Sequence, residues 1–322
     1  MKREGDMLLR QCGNHASFMA LGLGNELSGD IEVMRELLDG FRGQDNRHLY
    51  YFGANNYLGK RGPQEGEDFL VTCRLGLDGL YENHVRTSFG FVAAEQGGLL
   101  NNTRPNTVAN YARAIADCPR PVVGHETCQF QIYPDYQQLD KYSGVLYPYN
   151  LEIFRDRLKP NGLYSQAAAF SRATGRFSME CYKADIEYAL RTPGFGGYQM
   201  LDLQDYPGQG TALVGILDAF MDSKGIIDPE TFHGVCAPVV PLALIPDFCI
   251  GLARGIDIRL ALFNYEETDW DQPLTWRLSD EDGLWTKSGS LRASVPQGSV
   301  REVGQLRIPL YGLHAPARLT LT

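Results

Sequence analysis

The 322-residue sequence lacks several features that define particular classes of protein. It has no window of 18 apolar residues, so no membrane-spanning helix is predicted. The first thirty residues contain an acidic interruption and no continuous apolar stretch of seven residues, and they do not fit a signal peptide. No run rich in lysine and arginine occurs, and 39 acidic against 30 basic residues give a net charge of −9. Nucleic acid is therefore not an expected partner, and neutral or polar ligands fit better.

The seven cysteines are odd in number and have no Cys-x-x-Cys spacing. A zinc site is therefore not predicted, and buried free thiols are expected. Cys118 and Cys128 flank a predicted strand, and a disulfide between them is the alternative. Spacing in the sequence does not establish the geometry that such a bridge requires.

Two short apolar segments each deliver a glutamate to the end of a predicted strand. Phe18-Met-Ala-Leu-Gly-Leu-Gly-Asn-Glu26 ends at Glu26, and Pro121-Val-Val-Gly-His-Glu126 ends at Glu126. A glutamate after a strand also serves as a first-turn residue of the next helix, where its charge suits the helix dipole. Glu26 and Glu126 are one hundred residues apart, and this distance in the sequence is the length of three βα units. The pair therefore indicates two carboxylates at the mouth of a (β/α)8 barrel, which is the chemistry of glycoside hydrolysis.

The first two thirds of the chain alternate between predicted strands and helices. Strands are predicted at residues 18–24, 48–53, 120–125 and 196–203, with a further one near 98–102. Ser28 or Asp30 is expected to cap a helix from Ile31 to Phe41, ended by Gly43. Other helices are predicted at 107–117, in pieces over 151–191 and at 211–221. Two alternating runs at 69–74 and 85–91 predict a hairpin.

From about Pro246 the pattern changes to short strands separated by turn residues, which is typical of a β-sandwich. These strands are predicted at 247–253, 256–264, 274–278, 284–293, 305–311 and 317–322. The expected fold class is therefore α/β, with a partial (β/α)8 barrel over residues 1–245 and an incomplete β-sandwich over 246–322. About five barrel strands are found and a closed barrel needs eight, so the chain is expected to be truncated.

Several of these segments resemble family 2 glycoside hydrolases, the group of β-galactosidases, β-mannosidases and β-glucuronidases. Leu21-Gly-Leu-Gly-Asn-Glu26, preceded by Gly13-Asn-His-Ala-Ser-Phe18, resembles the fourth barrel strand of that family. Pro121–Glu126 resembles the seventh strand, Gly196–Asp205 the eighth, and Pro246–Thr322 the sandwich that follows. The chain departs from the family where Met200-Leu201-Asp202 replaces a tryptophan near the sugar, and where the first three strands and the N-terminal jelly roll are absent.

The resemblance implies a retaining β-glycosidase that needs no metal or cofactor, with Glu26 as acid/base and Glu126 as nucleophile. Asn25 is then expected to bind the sugar 2-hydroxyl, and His125 to lie behind the site or in the core. Further residues at predicted loop ends could bind sugar hydroxyls or serve only as turn residues. They are Asn55, Asn56, Arg74, Asn102 and Asp202.

Two other functions compete with this prediction. The first is a non-enzymatic carbohydrate-binding or remnant protein that keeps both glutamates without a closed barrel. The second is a hydrolase that uses Cys128 or Ser88 as nucleophile. The sequence offers this last function neither a nucleophile elbow nor a Cys/His pairing.

Overall fold

The structure, a computed structural model, describes residues 1–54, 63–76, 84–86, 104–116, 118–206 and 212–322. The chain divides into two compact units. The first comprises Met1–Gly98, Tyr111–Asp185 and Gly194–Ile226, and the second comprises Leu99–Asn110, Ile186–Pro193 and Ile227–Thr322. Both helices and sheets are present, in agreement with the α/β class. Within the ranges described, no helix is long and apolar enough to cross a membrane.

Six α-helices follow one another along the described chain. They are α1 (Lys2–Cys12), α2 (Ile31–Gln44), α3 (Ala112–Ile115), α4 (Tyr149–Leu158), α5 (Ala167–Leu190) and α6 (Pro229–Cys236). Asp30 caps α2 as expected, since its carboxylate accepts hydrogen bonds from the N–H groups of Glu32 and Val33 at 2.9 and 3.5 Å. The helix buries Met34, Leu38 and Phe41 at helical spacing. It runs to Gln44, one residue beyond the Gly43 predicted to end it.

The strands of the first unit are mostly parallel. They are β1 (Ala20–Gly22), β2 (Leu49–Tyr51), β3 (Leu70–Thr72), β4 (Arg74–Gly76), β5 (His84–Arg86), β6 (Val122–Thr127) and β7 (Phe195–Met200). β1 pairs in parallel with β2, and β3, β6 and β7 form a second parallel sheet in that order. Asp68 joins the two sheets, because its N–H donates to the Tyr50 carbonyl at 2.9 Å and its carboxylate accepts from the Tyr50 N–H at 2.7 Å.

Successive side chains of these strands point to opposite faces, and each face packs against its own apolar cluster. Leu21 and Tyr50 pack on the side of α1 and α2. Their neighbours Ala20 and Tyr51 pack on the opposite side, in a cluster that also contains Val71. The parallel strands therefore bury apolar side chains on both faces, as parallel sheets do.

The predicted hairpin over 69–74 and 85–91 is wrong in its first arm. Residues Leu70–Thr72 pair in parallel with β6, and only β4, which follows them, pairs antiparallel with β5. The alternating apolar pattern predicts a strand but does not reveal its partner. The strand predicted near 98–102 lies outside the described residues.

Two predicted helices are also wrong. Among the described residues of 107–117 only Ala112–Ile115 is helical. Thr107 instead lies against Ile245, since its N–H donates to the Ile245 carbonyl at 2.9 Å and its hydroxyl accepts from the Ile245 N–H at 2.7 Å. At 211–221 the described residues from Ala212 onward are not helical. There Gly215 lies so close to Gln204 that an added Cβ would be 2.2 Å from the Gln204 carbonyl carbon. Helix α5 lies within the predicted 151–191 segment, and α4 begins two residues before it, at Tyr149.

The second unit contains two three-stranded antiparallel sheets. Its strands are β8 (Val239–Leu244), β9 (Ile256–Asn264), β10 (Trp270–Asp280), β11 (Thr286–Val295), β12 (Ser299–Ile308) and β13 (Leu319–Leu321). The sheets have the orders β12-β9-β8 and β11-β10-β13. Side chains of both, among them Ile258, Leu278 and Leu306, belong to one apolar core.

Five of the six strands predicted in this region match observed strands. The sixth, 247–253, is instead irregular and ends in a 3-10 turn at Leu252–Arg254, where the Asp247 carboxylate accepts from the Cys249 N–H at 2.9 Å. Strand β8 was not predicted, and it lies ahead of Pro246.

All seven cysteines are free, including Cys118 and Cys128. The expectation of burial is correct for Cys73, Cys128 and Cys181, whereas Cys236 and Cys249 are exposed.

Candidate functional site

Glu26 follows β1, where the parallel pairing continues beyond the strand. The Ala54 N–H donates to the Gly24 carbonyl at 2.9 Å, and the Glu26 N–H donates to the Ala54 carbonyl at 2.8 Å. This approach requires glycine at position 53, where φ is +122° and an added Cβ would be 2.4 Å from the Gly24 carbonyl oxygen. The backbone of Gly53 and Ala54 therefore fixes where Glu26 leaves the strand.

Glu126 lies near the end of β6, where pairing with β7 is irregular between Gly124 and Thr127. The two residues that follow Glu126 are each held by a hydrogen bond. The Thr127 hydroxyl donates to the Gln199 carbonyl at 2.8 Å, and the Cys128 N–H donates to the buried Asp185 carboxylate at 2.7 Å. The Glu126 side chain is mostly buried, with 18% of its surface exposed.

Both glutamates have left-handed backbone conformations, with φ of +51° at Glu26 and +55° at Glu126. A residue other than glycine in this region costs about 1–3 kcal/mol and persists where the surroundings over-determine it. The backbone bonds around both residues provide that support. Such outliers cluster at functional sites. Among the described residues other than glycine, Cys128 and Met221 share this conformation, so the case for the two glutamates also needs their position.

The side chain of His125 joins residues from three parts of the first unit. Its Nε2 lies 3.0 Å from Asn25 Oδ1, and its Nδ1 lies 3.0 Å from Gln199 Oε1. The same Nε2 lies 3.6 Å from Glu126 Oε1. The residue that precedes Glu26 and the residue that precedes Glu126 are therefore in direct contact, and both glutamates lie at one edge of the parallel strands.

Strict alternation would point His125 and Glu126 to opposite faces of β6. The left-handed conformation of Glu126 breaks that alternation and leaves both side chains on the same side. His125 thus contacts residues of the candidate site rather than the core. Gln199 was missed by the sequence reasoning, although an amide near the carboxyl end of a predicted strand is a signal that could have identified it.

The other residues predicted to bind sugar hydroxyls do not all lie beside the two glutamates. Asp202 follows β7, and the N–H of the preceding Leu201 donates to the Thr127 carbonyl at 2.8 Å, so Asp202 lies at the same edge as Glu126. Its carboxylate accepts from the N–H of Leu203 at 2.6 Å, a local turn contact. Arg74 lies in β4, where its backbone pairs with Arg86. Three further candidates lie outside the described residues: Asn55, Asn56 and Asn102.

The two alternative nucleophiles have no support from the described residues. Burial and the nearby Asp185 raise the pKa of the Cys128 thiol well above its usual value, which opposes thiolate formation. Ser88 lies outside the described residues.

A buried ion pair lies beyond β7. Asp205 and Lys224 are 2.7 Å apart, with side-chain exposures of 3% and 8%. Burial raises the pKa of Asp205 and lowers that of Lys224, so both shifts oppose the charged forms. Asp205 also accepts from the Gly215 N–H at 3.0 Å, and the pair therefore holds two irregular segments together.

Comparisons with known proteins support a glycosidase-like fold. The model of a family described as "Domain of unknown function (DUF8488)" matches residues 255–322. No curated protein sequence matches the chain. Among solved structures, an exo-chitosanase from Amycolatopsis orientalis matches with a TM-score of 0.52 and 14% identity, over 100% of this chain and 36% of its own. A β-D-mannosidase from Dictyoglomus thermophilum matches with a TM-score of 0.53 and 11% identity, over 99% of this chain and 38% of its own.

The chain therefore spans a little over a third of the length of these two enzymes. Identities of 14% and 11% indicate similarity of fold alone. The chain is similar in fold to part of an exo-chitosanase and to part of a β-D-mannosidase.

Proposed function

We propose that this chain carries the catalytic carboxylates of a retaining β-glycosidase of the family 2 type. The observation that carries the proposal is the contact between Asn25 and His125, because it brings the segments that end in Glu26 and Glu126 to one edge. The left-handed conformation of both glutamates supports it independently.

The proposed fold is a partial (β/α)8 barrel in which β1, β2, β3, β6 and β7 are strands four to eight. β2 and β3 lie between β1 and β6 in this order. In a flat sheet three strand spacings would separate β1 from β6 by roughly 14 Å. That is more than the Asn25 and His125 side chains can bridge with a 3.0 Å hydrogen bond, so the strands must curve towards each other. Curvature of this kind supports the barrel over an open flat sheet.

The second part of the proposed fold is a β-sandwich that begins with β8 at Val239, not at the predicted Pro246, and is formed by the two antiparallel sheets of the second unit. Their shared apolar core supports it.

In the proposed mechanism the ionised Glu126 carboxylate attacks the anomeric carbon and displaces the leaving oxygen, to which Glu26 donates its proton. Glu26 then removes a proton from the water that attacks the glycosyl-enzyme, and Glu126 is released as a carboxylate. A retaining mechanism requires the two carboxyl groups to be about 5–5.5 Å apart. Asn25 is proposed to bind the 2-hydroxyl of the sugar.

The test is a set of kinetic assays on the full-length natural protein with chromogenic β-glycosides. Glu126→Gln should abolish turnover of every substrate, because the nucleophile has no substitute. Glu26→Gln should retain part of its activity on a dinitrophenyl glycoside, since a good leaving group needs no acid, and azide should accelerate it. Glu36→Gln, an exposed position on α2, is the matched control and should match the wild type.

Equal losses for both variants on the dinitrophenyl substrate, with no effect of azide, would contradict the assigned roles. A wild-type protein that binds oligosaccharides but hydrolyses none of the glycosides would instead favour a carbohydrate-binding function.

A further inference from the structure

His125 contacts an amide oxygen with each of its ring nitrogens. Nε2 faces Asn25 Oδ1 and Nδ1 faces Gln199 Oε1, both at 3.0 Å. Asn25 follows β1 and Gln199 lies in β7, the first and last strands in the parallel order. The His125 ring therefore contacts one side chain next to the first parallel strand and one side chain in the last.

These contacts fix the positions of both amides. A neutral imidazole carries one N–H, so one amide accepts from it and turns its NH2 group away, while the other amide presents its NH2 group to the bare nitrogen and turns its oxygen away. A doubly protonated ring donates to both amide oxygens. In each case both amides keep a free end that can bind another group. Without His125 the Asn25 side chain, at an exposed position, would be free to rotate, and ordering it on substrate binding would cost conformational entropy. A positioned amide avoids that cost, which is the advantage of a preorganised site.

The backbone around His125 is itself held in place. Glu126 takes the left-handed conformation immediately after it, and Thr127 is bonded to the backbone of Gln199 at 2.8 Å. The histidine ring lies beside the Glu126 carboxylate, with Nε2 3.6 Å from Oε1. The same Nε2 contacts Asn25, so the ring lies between Asn25 and the proposed nucleophile.

We propose that His125 is a positioning residue of the site: by holding Asn25 and Gln199 beside Glu126, it directs the free end of each amide towards the hydroxyl groups of the sugar. This inference rests on the proposed function. It predicts that discrimination for the 2-hydroxyl depends on His125 as well as on Asn25, although His125 itself touches no substrate.

The first experiment tests the contacts without requiring activity. The full-length natural protein is labelled with 15N in its asparagine and glutamine side chains, and Asn25→Ala and Gln199→Ala identify the two amide signals. His125→Phe should shift both signals, whereas His233→Phe, the same change at an exposed histidine of α6, should shift neither. Unchanged Asn25 and Gln199 signals in folded His125→Phe would overturn the inference.

If His125→Phe does not fold, Gln199→Leu provides the second variant, because it removes the amide but leaves the backbone carbonyl that Thr127 uses. The 15N signal of His125 Nδ1 should then shift, and an unchanged signal would overturn the inference.

The second experiment measures kcat/KM for an aryl β-glycoside and for its 2-deoxy analogue. Asn25→Ala should reduce the preference for the 2-hydroxyl substrate at least tenfold, and His125→Phe should reduce it by a similar factor. His125→Phe combined with Asn25→Ala should lower it little further. A His125→Phe protein that keeps the wild-type preference while losing overall rate would show a merely structural role.

A wild type with no glycosidase activity would overturn the proposed function, and the amide signals would still decide whether His125 holds the two amides.

Discussion

Glu67 makes stability depend on pH in a way that one substitution should remove. It precedes β3 and is 3% exposed. Its carboxylate accepts from the N–H groups of Gln64 and Phe52 at 2.7 and 3.4 Å. Burial nevertheless outweighs these bonds and raises the pKa of Glu67 from 4.5 to about 7.

A carboxyl group with a raised pKa holds its proton more tightly in the folded state than in the unfolded state. Its contribution to stability is fully present below pH 4.5 and is lost as the pH rises through about 7. At about 1.4 kcal/mol for each pH unit, the loss totals about 3 kcal/mol. Roughly 2–3 kcal/mol of it falls between pH 5 and pH 8.

The assay is urea unfolding of the wild type and Glu67→Gln at pH 5 and pH 8. Glutamine does not ionise, so the variant should lose less stability than the wild type between these pH values, by roughly 2–3 kcal/mol. Glu65→Gln, at an exposed position two residues away, should retain the wild-type pH dependence. Equal pH dependence in Glu67→Gln and the wild type would refute the reasoning.

Three further substitutions test the supports of the site and the fold, each by urea unfolding. Gly53→Ala should destabilise by at least about 1–3 kcal/mol, because φ is +122° and the new Cβ would meet the Gly24 carbonyl, and an unchanged midpoint would contradict this account. Lys224→Met should cost about 3–5 kcal/mol by leaving Asp205 buried without its partner, and adding Asp205→Asn should recover part of the loss. Asp30→Ala should cost about 1 kcal/mol through the lost helix cap, and a loss below a few tenths would argue against that cap.

The parts of the fold that the sequence predicts well are those with local signals. Helix α2 combines a capping aspartate with apolar residues at helical spacing, and its burial pattern follows that spacing. The two apolar segments that end at Glu26 and Glu126 were predicted as strands, and each contains one, β1 and β6. Strand β9 was predicted with its observed bounds because its side chains alternate strictly between buried and exposed at its start.

The errors occur where a distant partner overrides the local pattern. Thr107 is bonded to Ile245, 138 residues away, and the helical spacing of residues 107–117 does not reveal that contact. The parallel pairing of β3 with β6 is equally invisible in the alternation of residues 69–74. In the site, the role of Gln199 depends on a histidine 74 residues earlier, and no short motif connects the two.

Covalent trapping with a 2-deoxy-2-fluoro β-glycoside tests the central claim most directly. Fluorine at C2 slows hydrolysis of a glycosyl-enzyme, so the intermediate of a retaining enzyme accumulates and its attachment site can be mapped by peptide mass spectrometry. The reagent should carry the sugar preferred in the chromogenic screen and a dinitrophenyl leaving group. The account predicts one label per chain, attached to Glu126, and no labelling of Glu126→Gln. A label on any other residue, or turnover of the parent glycoside without labelling at any time point, would contradict it.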